Sequence, residues 1–108
     1  MYMEEIKVEE YVRTHKGKIY KVTNVYVLKV TCGHTSLRYT DIAKHSPNII
    51  DLIEVGDIVE TFDVLHNDIV YIWNDEMVKA LRKDIENGIQ IKSITTKEQF
   101  ESMKYEVI

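Results

Sequence analysis

The chain has little of what usually loosens or staples a small protein: one cysteine, one proline and four glycines in 108 residues. A lone Cys32 excludes an internal disulfide and any zinc site built from several thiolates, and it suits a reducing compartment. The scarcity of proline and glycine argues against long flexible linkers. No internal repeat of solenoid length and no low-complexity stretch occurs. No apolar run approaches the roughly 18 to 20 residues that crossing a bilayer requires. The opening Met1-Tyr2-Met3-Glu4-Glu5 is acidic where a secretory signal would be basic and then apolar, so the expected location is the cytoplasm. A further absence is local: residues 11 to 40 contain no aspartate or glutamate at all.

That window holds six cations, Arg13, Lys16, Lys18, Lys21, Lys29 and Arg38, interleaved with Tyr11, Tyr20, Tyr26 and Tyr39. Elsewhere eight basic residues face eighteen acidic ones, and the whole chain carries a formal charge of −4. Such polarity lets one surface attract an anion while the remainder repels it. With 44% hydrophobic and 30% charged residues, the composition is that of a folded domain, and the length predicts a single domain over 1–108.

Val, Ile, Tyr and Thr dominate residues 10 to 39, predicting an antiparallel meander. Strands are expected at 11–15 and 19–24, joined through Lys16-Gly17-Lys18, where glycine supplies the positive φ of a tight turn. A central strand follows at 25–31, then a Cys32-Gly33-His34 turn and a short strand at 36–40. Ser46-Pro47 predicts a short helical turn, serine accepting an orphan N–H and proline having none to lose. A hairpin is expected from 58–65 and 69–73 through His66-Asn67-Asp68. Asn74-Asp75 and Asn87-Gly88 bracket a helix whose Met77, Val78, Leu81 and Ile85 form one apolar stripe. A strand from Ile89 and a terminal helix opened by the capping box Thr96-Lys97-Glu98-Gln99 complete the pattern. The fold class is α+β: a small twisted antiparallel β-barrel or sheet with about three short helices.

Two segments, 45–57 (HSPNIIDLIEVGD) and 91–103 (IKSITTKEQFESM), resemble parts of small uncharacterised proteins from phages and prophages of Firmicutes bacteria. Residues 10–14 (EYVRT) followed by Lys16-Gly17 are similar to the opening strands of that group. The resemblance leaves out the stretch from Phe62 to Gly88. It implies a setting, the cytoplasm of a host bacterial cell, and a role against host machinery, as in anti-CRISPR-type inhibition or the sequestration of a nucleotide signal. It brings no catalytic residue with it.

Strand alternation places Tyr11, Arg13 and His15 on one face, with Lys18 and Tyr20 across the ladder. Cations and aromatic rings on one surface suit phosphate contact and base stacking. The same lysines would also simply solubilise exposed strands, or dock onto an acidic surface of a host protein or of a second subunit. The expected anion or partner contacts are Arg13, Lys16, Lys18, Tyr20, Lys21 and Arg38. Trp73, beside Asn74 and Asp75, is either a core edge or an interface anchor.

Catalytic patterns are thin. Cys32-Gly33-His34 sets a thiol near an imidazole with no third orienting group, and a buried structural cysteine accounts for it more simply. His66-Asn67-Asp68 reads more economically as a polar turn than as an imidazole–carboxylate pair. His15, His34, His45 and His66 are scattered, without zinc-ligand spacing. Phosphate-loop, dinucleotide, nucleophile-elbow and zincin signatures are missing. The expectation is therefore a non-enzymatic binding protein with no cofactor and no metal. Its partner would be a host defence protein or an anionic nucleotide, with a nucleic-acid-binding small β-barrel as the alternative. A homodimer through an exposed strand edge fits the opposed charges.

Overall fold

The computed structural model describes residues 5–63 and 67–103. Contacts divide the chain into two compact units, Met1–Leu52 and Ile53–Ile108. The protein is α+β: the described residues form three separate three-stranded antiparallel sheets and two α-helices, and no sheet among them closes on itself.

In the first unit β1 (Tyr11–Thr14) is central, flanked by β2 (Ile19–Lys21) and β6 (Ile42–Ser46). Gly17 does adopt positive φ, at 83°. Its N–H donates to the Thr14 carbonyl at 2.9 Å, and the Thr14 N–H donates to the Lys18 carbonyl at 2.8 Å. The second sheet holds β3 (Asn24–Val25), β4 (Lys29–Cys32) and β5 (Thr35–Arg38) in that order. The single meander expected from sequence is thus two sheets, and the chain changes partner at one peptide. The Val22 N–H bonds back to the Glu10 carbonyl beside β1, whereas the next N–H, of Thr23, bonds to Thr31 in β4. Ile6, Val12, Val22, Val30, Leu37, Ile42 and Cys32 gather from both sheets into one core.

The strand expected at 25–31 is broken. The Tyr26 N–H donates to the Lys29 carbonyl at 2.8 Å, closing a two-residue turn over Val27 and Leu28. These side chains are 92% and 81% exposed, so an apolar pair crowns a hairpin. Sequence reasoning misses it because such turns normally announce themselves with Asn or Gly. Strand β6 is missed as well. A 3₁₀ turn at Tyr39–Asp41 leads into it, and a second at Ile49–Leu52 replaces the short helix expected after Ser46-Pro47. Ser46 ends β6 and does not sit at the cap of that turn; its Oγ accepts the Asn48 N–H at 3.1 Å and donates to Asp51 at 2.6 Å.

In the second unit β7 (Ile58–Phe62) lies between β8 (Asn67–Tyr71) and β9 (Gln90–Thr95). The inward side chains of β7 are Val59 and Thr61. Helix α1 (Asp75–Glu86) starts where predicted, the Asn74 side chain accepting the Met77 N–H at 3.1 Å. Leu81 on its apolar stripe is buried. Helix α2 (Lys97–Ser102) opens with the expected capping box, reciprocal bonds of 3.3 and 3.0 Å joining Thr96 and Gln99. No described helix is long and apolar enough to cross a membrane.

A candidate anion-binding groove at the basic hairpin

The six residues expected to form one cationic surface separate into different environments. Arg13 is 1% exposed, its guanidinium Nη1 donating 2.9 Å to the Leu52 carbonyl. Val12, Arg13 and Thr14 are buried in succession, both faces of β1 being covered there, and the β1–β6 pairing shifts register between Arg13 and Thr14. This corrects the placement of Arg13 on an exposed binding face. Lys21 lies 3.0 Å from the Glu9 carboxylate and 5.8 Å from the Tyr11 ring centroid. The Glu9 contact, with a smaller contribution from Tyr11, raises the Lys21 pKa. Arg38 Nε sits 3.7 Å from Asp41, which also accepts the Arg38 backbone N–H. Lys29 leans over Tyr26 at 5.7 Å.

Lys16, Lys18 and Tyr20 remain together. They line a groove of about 290 Å³ between the β1–β2 tip and the 3₁₀ turn at Tyr39–Asp41. Thr14, His15 and Thr40 contribute polar groups, Leu37 supplies apolar surface, and Asp41 sits on the rim. Both lysines are exposed, and no carboxylate among the described residues pairs with either. Tyr20 is half-buried and packs against the core, which fixes its ring. Two ammonium groups beside a fixed ring, with hydroxyl and imidazole donors nearby, can hold a phosphoryl group and stack a planar substituent. The volume is at the low end for ligand pockets, suited to a mononucleotide-sized ligand.

Trp73 is 70% exposed and meets Tyr71 edge-on, centroids 4.5 Å apart. That favours the anchor over the core edge among the two readings of this residue. Cys32 faces the core, and burial pushes its thiol pKa up, which works against a nucleophilic thiolate, while His34 is exposed. His66 lies outside the described residues. Among the described residues no group of three or more His, Cys, Asp or Glu side chains gathers to hold a metal ion.

No family model, curated protein or solved structure matches the chain. The resemblance to phage and prophage proteins gains nothing from these comparisons, and any functional reading rests on geometry.

Sequence reasoning overlooks a second cleft, of about 610 Å³, bordered by Glu10, His45, Ser46 and Pro47. There His45 Nδ1 lies 2.6 Å from Glu10 Oε1, while the other carboxylate oxygen accepts the Lys7 N–H at 2.9 Å. Glu9, on the same cleft, has φ at 77°, unusual for a residue with a Cβ. The pair is 35 positions apart in sequence and meets only because β6 pairs with β1, Val12 opposite His45.

Proposed function

We propose that this chain is a non-enzymatic binding protein whose ligand is a phosphorylated small molecule, a nucleotide, held at the basic hairpin. The groove that unites Lys16, Lys18 and Tyr20 carries this reading. In the phage or prophage setting that the resemblance implies, the protein would act in the host cytoplasm by sequestering a nucleotide signal. The related counter-defence mode, anti-CRISPR-type occlusion of a host protein, would use the same two lysines against an acidic partner surface. Arg13 has no contact role in either mode.

Titration calorimetry with mono-, di- and cyclic dinucleotides tests the reading. Micromolar binding is expected for at least one, competed by inorganic phosphate. Reversing Lys16 and Lys18 to Glu should weaken it by about 100-fold, the loss of two charge-assisted contacts. Tyr20→Ala should weaken it by about tenfold through lost stacking. Absence of binding to the whole panel, or full affinity in the double reversal, removes the proposal.

The alternative, a small β-barrel that binds nucleic acid, rests on the tyrosines interleaved with the cations of the same region. Its affinity for single- or double-stranded nucleic acid would fall with salt by about one ion-release unit per phosphate contact. No shift of either nucleic acid at about 50 mM salt eliminates it.

A further inference from the structure

Strand β8 is an edge strand, hydrogen-bonded only to β7 among the described residues. The outward side chains of β8, with Trp73 two residues past its end, form a stripe of period two: Ile69 is 76% exposed, Tyr71 43% and Trp73 70%. Ile72, between the last two, is fully buried on the opposite face. Lysine and proline, two devices that commonly blunt an open edge, are missing here. The run Asn67-Asp68-Ile69-Val70-Tyr71-Ile72-Trp73 contains no lysine, arginine or proline.

Backbone geometry selects the same residues. The Ile72 N–H donates 2.9 Å to the Asp57 carbonyl, so even-numbered positions direct their backbone groups at β7. The odd-numbered positions of β8 therefore turn theirs toward the open edge, while past its end the Trp73 N–H donates to Met77 Sδ at 3.3 Å. Ile69 and Tyr71 carry outward backbone groups and outward apolar side chains at once.

We propose that this edge pairs antiparallel with the same strand of a second copy of this chain, the twofold axis passing beside Tyr71. Any antiparallel twofold centred on a residue sets odd positions opposite odd positions, so outward N–H and C=O groups meet. With Tyr71 opposite its own copy, Ile69 faces Trp73 twice. Asp68 then falls opposite Asn74, so no carboxylate meets its twin. A twofold at Ile69 would set Tyr71 against Asn67 and leave Trp73 beyond the paired region. A twofold at Val70 would set Trp73 against Asn67, and one at Ile72 would set Ile69 against Asp75. The Tyr71 register alone pairs all three apolar side chains with one another, and it converts two three-stranded sheets into one of six strands. Covering two tryptophans and two tyrosines at the centre of an isologous contact places the anchors where interface energy concentrates. This contact is independent of the groove.

Sedimentation of the full chain across the micromolar range tests it. The expected result is concentration-dependent doubling of the 12.7 kDa mass. Replacing Ile69 and Tyr71 together by Lys should leave a folded monomer, checked by its circular dichroism and unfolding temperature. Tyr71→Cys in a Cys32→Ser background should oxidise readily to a crosslinked dimer, because the paired Cα atoms would lie about 5.5 Å apart. Lys79→Cys in the same background should crosslink far more slowly. A mass that stays monomeric overturns the proposal, as would happen if the edge served an extended segment of another protein. So does a dimer that survives the double lysine substitution, or one in which the Lys79→Cys variant crosslinks as fast as the Tyr71→Cys variant.

Discussion

The two units solve the same problem with opposite charges. In the first, the buried Arg13 guanidinium satisfies the carbonyl of Leu52, the last residue of a 3₁₀ turn. In the second, the fully buried Asp57 carboxylate satisfies amides. One oxygen accepts the Glu54 N–H at 2.8 Å, and the other accepts the Lys97 N–H at 2.9 Å, the first residue of α2. Helical turns leave carbonyls orphaned at one end and N–H groups at the other, so a cation suits the first and an anion the second. Each of these two buried charges is a fastener for backbone ends. Its sign reports which end it holds.

The largest effect is expected at the acidic fastener. Asp57→Ala strands two backbone donors and should lower stability by about 4 kcal/mol in urea unfolding, with hydrogen exchange accelerating first in residues 53–103. Asp57→Asn, which keeps only one good acceptor, should lose about half of that. Arg13→Ala should cost about 3 kcal/mol, with the earliest loss of amide protection in residues 5–52. Equal effects on both groups of amides from either substitution would dissolve the contrast between the units.

A smaller effect separates buried from exposed charge. Lys21 and Cys32 both have raised pKa values, so the folded protein holds each proton more firmly than the unfolded chain does. Their contribution is complete below the ordinary thiol value of 9.0 and is lost as pH rises through the raised values. Unfolding free energy should therefore fall as pH rises above 9.0, and Lys21→Met should flatten the part of that slope above 10.5. Least of all, Val27→Thr with Leu28→Ser should change stability by under about 0.5 kcal/mol, since both side chains are already in water. A loss several times larger would mean that the hairpin crown is covered in solution.

What sequence can supply here is local. Gly17 between two lysines, Asn74 before α1 and the Thr96–Gln99 box each carry their own chemistry within a few residues, and each appears where expected. Non-local pairing is out of reach. Strand β6 has no strong alternation of its own and exists because β1 offers it an edge. Strict period-two counting puts Arg13 at the surface, whereas both faces of β1 are covered there and Val12, Arg13 and Thr14 are all buried. Charge alone points to Lys16 and Lys18, whereas the Thr40 and Asp41 wall of their groove needs the fold. Asp57 looks like one more acid near a turn glycine, because nothing in its neighbourhood announces a partner forty positions away.

The register shift in the β1–β6 pairing sets the gauge of the groove. Arg13 pairs with Lys44 and Thr14 with Ile42, so Ala43 is the surplus residue of β6. Excising Ala43 would restore even spacing and drag the preceding turn, with Thr40 and Asp41, along β1 by one residue, about 3.3 Å. The far bank would slide past the lysines, and a cleft fitted to one ligand would be recut for another without a single contact residue having changed.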